Sequence, residues 1–377
     1  MGLKKDFLER DVLDLARERI ARVFDEYDVV AVSFSGGKDS TVCLNLALEE
    51  ARRRGRRLLV VCFDEEAIHP PTVEYLERVS RIPDVDFRWY CVPVEHRNAC
   101  SPKQPYWHPW APEARGLWVR ELPPGAITSL PGHKREPISA SMSYCFPNDG
   151  RTVGLIMGIR ADESLRRYMS VTHRVEDNWL SPDPCAPWVG KCKPIYDWTA
   201  DDVWTATQLL KWDYNLTYDV MARVGVRYVD RRVCPPFGEE PLASLWIYAQ
   251  CWPELWQRML RRVPGASTAA RYSRSPLYGY GGVPKDPAMT WQEMVARQLA
   301  RWPEPYRTSI ANRLRVEVER HFNKHPNEPI VERKADNPDG GLSWEFLYML
   351  ALRGDLKGRK KVFYKNPEKY AASKSDA

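Results

Sequence analysis

The residues most able to do chemistry in this chain form one short string, Ser33-Phe34-Ser35-Gly36-Gly37-Lys38-Asp39-Ser40. It lies between a nearly continuous apolar run, DVVAVSF (28–34), and an amphipathic one, TVCLNLALEEARRRG (41–55). Two adjacent glycines let the backbone turn tightly and bring its N–H groups against an anion. A helix beginning after them aims the positive end of its dipole at the same point. Ser35 and Ser40 add hydroxyl donors, Lys38 a point charge, and Asp39 a carboxylate able to ligate magnesium. Ser33, Gly36 and Gly37 complete the cradle. The string is not a Walker A loop, because G-x-x-x-x-G-K-[ST] cannot be laid over it. The chemistry indicated is phosphate binding at the carboxyl end of a first strand, where open α/β sheets take ligands.

Other reactive residues are less decisive. Asp64, Glu65 and Glu66 follow a second apolar run and would place carboxylates on the same rim. There they could meet a ribose hydroxyl or magnesium, or form a solvated acidic turn. Cys145, Cys185, Cys192 and Cys234 could converge on a metal or an iron–sulfur cluster. The x6 gap between Cys185 and Cys192 is wider than structural zinc sites use, which favours buried, unligated cysteines. Cys43, Cys62 and Cys91 fall on apolar elements and read as core. His69, His96, His108, His133 and His173 fall in loops without partners at ligand spacing and read as surface histidines. Among the tryptophans, Trp204, Trp246, Trp252 and Trp256 sit in helical apolar patterns and read as packing rather than base stacking.

The elements that must position the string can be read from periodicity. Residues 6–27 repeat apolar positions at helical spacing, and RRLLVVCF (56–63) and DFRWYCVPV (86–94) are further buried strands. PPTVEYLERVS (70–80) is a helix entered through two prolines. This β-α-β-α-β alternation predicts a doubly wound parallel sheet with right-handed crossovers. From Glu95 to Arg151 the rhythm breaks into an insertion with nine prolines and Trp107, Trp110 and Trp118. We expect it to be ordered and to cover substrate, with Lys103, His133, Lys134 and Arg135 as its polar contacts; an oligomer contact is the alternative. TVGLIMGIR (152–160) resumes the strand pattern, and TADDVWTATQLLKW (199–212) is a helix capped by Thr199. The expected division is a nucleotide-binding domain over 1–213, a mainly helical region over 214–351, and a basic tail over 352–377.

Composition limits the function classes. The chain has 377 residues, 44% hydrophobic and 28% charged, which suits a folded globular protein. No apolar run approaches the ~18–20 residues a membrane span needs. The first twenty residues lack a signal-peptide h-region, and a cytoplasmic location is expected. Nine scattered cysteines fit a reducing compartment. Of the net charge of +6, the tail carries most, through residues such as Lys357, Arg359, Lys360, Lys361 and Lys365. Nucleic acid is therefore a candidate partner through the tail, although many solvated tails look alike.

SGGKDS resembles the PP-loop of the ATP pyrophosphatases, within the adenine nucleotide alpha hydrolase-like fold. Two later segments narrow the likeness. Gly158-Ile159-Arg160-Ala161-Asp162-Glu163-Ser164-Leu165-Arg166-Arg167 is similar to the G-[IL]-R-x-x-[EQ]-S-x-x-R segment of the PAPS (phosphoadenosine phosphosulfate) reductase family. Residues 193–204, KPIYDWTADDVW, are similar to that family's P-[IL]-x-D-W-[TS]-x-x-D-V-W. The resemblance implies a five-stranded parallel core with ATP or PAPS phosphates on the first loop, and magnesium beside them. It implies contacts from Gly158, Arg160 and Arg167 (Arg166 if the register slips), and adenine against the backbone near Phe63–Asp64, with Glu66 on that rim. ATP would be cleaved between its alpha and beta phosphates to adenylate an acceptor. The reductases' E-C-G-x-H segment and adjacent cysteine pair are absent from this chain. Residues 234–266 instead resemble the PAPS-reductase-like branch named for the immunoglobulin-binding regulator A of phage and mobile elements. That branch adds a nucleotide-sensing regulator as an alternative to an enzyme, and Cys234 would be the loop-borne thiol of a sulfonucleotide reductase.

Overall fold

A computed structural model of the chain describes residues 9–101, 103–172, 177–238, 241–272, 285–333, 336 and 341–353. His173 and the tail residues from Lys357 to Lys365 named above lie outside them. Among the described residues no helix is long and apolar enough to cross a membrane.

Each apolar run is a strand: β1 (Val29–Ser33), β2 (Leu58–Phe63) and β3 (Val85–Tyr90), then β6 (Val153–Met157). Within the insertion β4 (His96–Arg97) and β5 (Tyr106–Trp107) form a separate two-stranded ladder. A hairpin of β7 (Leu180–Pro182) and β8 (Val189–Cys192) completes the main sheet, whose order is β3-β2-β1-β6-β8-β7. All neighbours pair in parallel except β7 with β8. This is a doubly wound, PP-loop type α/β fold with five parallel strands and one antiparallel edge strand. The chain winds outward from β1 to β3 and then returns to the other side of β1 at β6. The switch point, where two outgoing connections diverge and leave a crevice, therefore lies between β1 and β6. The glycine loop leaves β1 at that crevice.

Alternation within β1 supplies both faces of the sheet. Val30 and Val32 join a cluster with Ile20, Val23 and Phe24 of α1 (Val12–Glu26) and Leu44, Leu46 and Leu48 of α2 (Lys38–Arg53). Tyr75, Leu76 and Val79 of α3 (Pro70–Ser80) extend the same cluster. Ala31, Val61 and Leu155 face the other way, onto Met142 and Cys145 of α4 (Ile138–Cys145) and Phe146. The insertion is thus ordered, as expected, and one of its helices roofs the second face of the sheet.

The remaining helices of the first compact unit are α5 (Leu165–Thr172), α6 (Ala200–Leu209), α7 (Thr217–Arg223), α8 (Leu245–Cys251) and α9 (Pro253–Arg262). Thr199 caps α6 as expected, in a capping box with Asp202. The boundary expected at 213/214 is corrected: the first unit runs to Ala266 and the second from Ser267 onward. The reason is chemical, because residues 215–262 supply buried hydrogen bonds and ion pairs to the sheet's carboxyl edge. After α10 (Ala266–Tyr272), the second unit holds α11 (Trp291–Ala300), α12 (Tyr306–Lys324) and α13 (Trp344–Arg353). They share a core of Trp291, Met294, Ile310, Leu314, Leu347 and Leu350.

One backbone contact sets how closely β6 approaches the loop. A Cβ at Gly158 would stand 2.6 Å from the Asp39 carbonyl carbon and the Ser40 nitrogen. Only glycine lets the end of β6 lie against the first turn of α2. Gly158→Ala should cost about 1–3 kcal/mol, read as a lower urea midpoint at unchanged slope; full stability would show that the contact has slack.

Candidate functional site

The loop has the conformation its glycines predict. Gly36 has φ of +71°, in the left-handed region, and the space a Cβ would take lies 3.1 Å from the Thr72 methyl group. Ser40 Oγ and Thr41 Oγ1 donate to the Gly37 carbonyl at 2.9 and 3.0 Å, and Ser35 Oγ and Ser40 Oγ are 3.2 Å apart. The hydroxyls therefore first close the loop on itself. Ser33 is the last residue of β1 and pairs in register with Met157.

Downstream residues that the sequence motifs do not contain hold the loop from outside. Asn215 is fully buried; its Nδ2 donates to the Gly36 carbonyl and to Thr72 Oγ1, each at 2.9 Å. The Lys38 amide donates to Tyr218 Oη at 2.9 Å, and burial raises the Tyr218 phenol well above its ordinary value. Neither residue is charged or glycine, so nothing in the spacing distinguishes them. Their only sequence signal is position, in the WDYNLTY turn between α6 and α7.

Charges converge at the first turn of α2. Lys38 Nζ lies 3.0 Å from Asp39 Oδ2, and the buried Arg160 donates Nε to Asp39 Oδ1 at 2.5 Å. Burial lowers the Lys38 pKa, Asp39 raises it, and the neighbouring charges of Arg160 and Arg232 lower it further. Lys38 and Arg160 thus bracket one carboxylate. Arg232 belongs to none of the sequence motifs; its Nη2 donates to the Glu163 carbonyl at 3.4 Å. Arg167, on α5, pairs with the Glu163 carboxylate, which also accepts from the Arg160 amide at 3.4 Å. Arg167 is therefore held on the rim through Glu163. Arg166 has its backbone in α5.

Each Asp39 carboxylate oxygen is paired with a cation, Lys38 on one and Arg160 on the other. One expectation about acids is corrected. Asp64 and Glu66 do not offer free carboxylates to a ribose. Asp64 is buried, accepts from Trp89 Nε1 at 2.7 Å and the Glu66 amide at 2.8 Å, and pairs with Arg120. Its own amide donates to the Tyr90 carbonyl. Glu66 has φ of +60° and no exposed surface. It accepts from the amides of Trp110 and Val119 at 2.7 and 3.1 Å and binds Arg262 through both oxygens at 2.9 and 3.1 Å. Phe63 stacks on Tyr90, with ring centroids 5.2 Å apart, inside the second core cluster.

The insertion's basic tip also differs from expectation. Arg135 pairs with Glu113 at 2.5 and 2.9 Å, and His133 Nε2 lies 2.8 Å from Ser141 Oγ. The Lys134 amide donates to Glu136, and Lys103 is exposed. Arg135 and His133 thus tie the insertion to itself, whereas the Lys103 and Lys134 side chains are exposed. Cys145 and Cys192 are buried, Cys185 is exposed and Cys234 half-buried, and among the described residues no group of three His, Cys, Asp or Glu could hold a metal. Cys43, Cys62 and Cys91 are core.

A family model described as a domain of unknown function, DUF3440, matches residues 225–327. The protein named "Uncharacterized protein YbdN", from Escherichia coli strain K12, is 30% identical over 374 residues, covering 94% of this chain and 91% of that one. The chain belongs to the YbdN family. Similar solved structures include yeast FAD synthetase in complex with FAD (15% identity, 55% of this chain and 60% of that one, TM-score 0.35). Others are a Candida auris PAPS reductase (12%, 57% and 93%, 0.31) and the U34-tRNA thiolase NcsA of Methanococcus maripaludis with its [4Fe-4S] cluster (14%, 73% and 81%, 0.31). At those scores the strand order and loop geometry of this family member carry the fold assignment.

The histidines expected at the surface are mostly buried. His69 stacks on Tyr248, 4.4 Å between centroids, and burial lowers its pKa to about 3. His96 Nε2 is buried without a hydrogen-bond partner, 3.9 Å from Glu65 Oε1, and burial and then His108 lower its pKa to about 4. Glu65 keeps 18% of its side chain exposed, yet burial and then the Asp64 charge raise its pKa to about 8. An unfolded chain gives up this proton at a pH of about 4.3, whereas the folded chain holds it to about 8. Between those values folding stability should fall as pH rises. Glu65→Gln should remove that component, so urea midpoints of the two proteins would diverge steadily from about pH 5 to about pH 8; parallel curves would refute the raised value.

Proposed function

We propose that the chain binds an adenine nucleotide, with ATP as substrate, on the loop from Ser35 to Ser40. The observation that carries this reading is the convergence of Lys38 and Arg160 on Asp39 in the first turn of α2, beside a left-handed Gly36. A triphosphate brought there meets the positive end of the α2 dipole and the Lys38 and Arg160 cations at once. Its oxygens compete with Asp39 for Lys38 and Arg160, and arginine forks favour phosphate geometry. The alpha-phosphorus is then attacked by an acceptor oxygen. A new P–O bond forms to the acceptor, which loses its proton, and the bond to the beta-phosphate oxygen breaks to release pyrophosphate. Catalysis is positioning together with neutralisation of charge developing on the leaving group.

Cys234 favours a second reading, reduction of a sulfonucleotide. It is a half-buried thiol downstream of Tyr218, the residue that holds the Lys38 amide. Its thiolate would attack the sulfur of the sulfonate group, expelling the nucleotide; an external thiol would then attack the cysteine sulfur, releasing sulfite and leaving a mixed disulfide that a second thiol reduces.

Lys38→Ala should abolish pyrophosphate release from ATP while leaving the circular dichroism unchanged. Tyr218→Phe, which deletes one acceptor behind the loop, should weaken ATP binding about fivefold, the worth of one hydrogen bond. Calorimetric titration that shows equal ATP affinity in the native chain and both variants would overturn the loop as the nucleotide site. Unchanged sulfite production in Cys234→Ser would eliminate the second reading.

A further inference from the structure

The insertion and α9 line an open surface cleft of about 430 Å³ that the nucleotide reading does not use. Arg115, Trp118 and Arg120 line it from the insertion, with Glu121, and Arg258 and Arg261 from α9. The three-residue spacing of Arg258 and Arg261 puts both on one face of the helix. Their neighbour Arg262 turns inward to Glu66. Arg120 is neutralised by Asp64 and fixes the wall. Arg115, Arg258 and Arg261 then stand against the single carboxylate of Glu121.

The Arg258 guanidinium is held by the Val119 carbonyl at 3.4 Å, and Arg115 lies over the Trp118 ring at 5.8 Å from its centroid. Trp118 is itself anchored, donating Nε1 to the Ala111 carbonyl at 3.0 Å and meeting Trp110 edge-on at 5.1 Å. The cleft therefore offers one held guanidinium, Arg258, with the exposed Arg115 and Arg261 beside it and a fixed indole. Its size lies within the range of small-molecule sites and holds about one nucleotide.

We propose that this cleft is a second anion site, which takes the phosphate of a nucleotide unit and places its base or sugar against Trp118. Guanidinium forks match phosphate oxygens in pairs, and an indole face accepts any base. The unit arrives either as a free nucleotide or as part of a single strand of nucleic acid. The site rests on residues distinct from the loop, so it stands or falls separately from the nucleotide reading.

The test uses the full chain and two probes, uridine monophosphate and a fluorescein-labelled single-stranded RNA of twelve uridines, each titrated into native protein, Lys38→Ala and Arg258→Ser/Arg261→Ser. At least one probe should bind native protein and Lys38→Ala alike and bind the double variant roughly tenfold or more weakly. Binding of the mononucleotide identifies the free ligand; binding of the RNA alone identifies the strand. For the RNA, losing two phosphate contacts should also reduce the slope of log affinity against log salt by about 1.4. Arg261→Glu, at an exposed position, gives the same readout without removing the Arg258 bond to Val119. The proposal is overturned if neither probe binds, if the arginine variants bind as native protein does, or if Lys38→Ala removes binding as fully as they do.

Discussion

Glu66 is the residue on which the carboxyl edge of this sheet depends. It is buried without exposed surface, and three separate stretches of chain satisfy its carboxylate: Trp110, Val119 and Arg262. A buried carboxylate left unpaired costs several kcal/mol, so the three stretches cannot drift apart independently. Its left-handed backbone has the same origin. A non-glycine residue at φ +60° is tolerated only where surrounding structure over-determines it. Here two amides and a bidentate guanidinium do so. Arg120 repeats the arrangement one step away, donating Nε to the Glu66 carbonyl at 3.0 Å while pairing with Asp64. The acids after β2 are thus structural, and they convert a proline-rich excursion into a wall.

That explains which parts of the sequence are legible. Strands β1, β2 and β6 are buried almost throughout, so apolar runs announce them, while the edge strand β3 is only half buried. The loop is legible because its chemistry is local: glycine, lysine and serine within six residues. Asp64 and Glu66 mislead because a carboxylate's role depends on what lies opposite it, and their partners are up to 196 residues away. Asn215 and Tyr218 escape notice for the same reason, since a neutral side chain reveals its purpose only through the backbone group it meets. The boundary error follows directly. Helical composition after Tyr214 suggests a new domain, but composition does not register that Asn215, Tyr218 and Arg262 are bonded into the first one.

The insertion is half legible. Its tryptophans point correctly to order, since Trp107 and Trp110 are almost wholly buried. Its basic tip points to a substrate, whereas Arg135 and His133 turn to Glu113 and Ser141 within the same segment. A basic run in sequence cannot distinguish a cation that faces outward from one already paired. Arg115 of the insertion and the arginines of α9 line one cleft, a juxtaposition that no motif connects.

The loop raises a different problem of charge. Lys38 and Arg160 are both withdrawn from water, and burying two cations would be prohibitive without a counter-charge. Asp39 supplies it, one oxygen to each. An anion that enters must draw both cations partly away from Asp39, so the carboxylate opposes weak monoanions more than it opposes a triphosphate. The cost of separating those pairs is fixed, while the gain rises with the number of phosphate oxygens offered. Buried, pre-paired cations thereby select for ligand charge. Burial lowers the Lys38 pKa more than Asp39 raises it, so the ion pair does not fully offset the desolvation. On the proposed reading, a polyanion adds to that compensation, and a site built this way gains most from the most highly charged ligand.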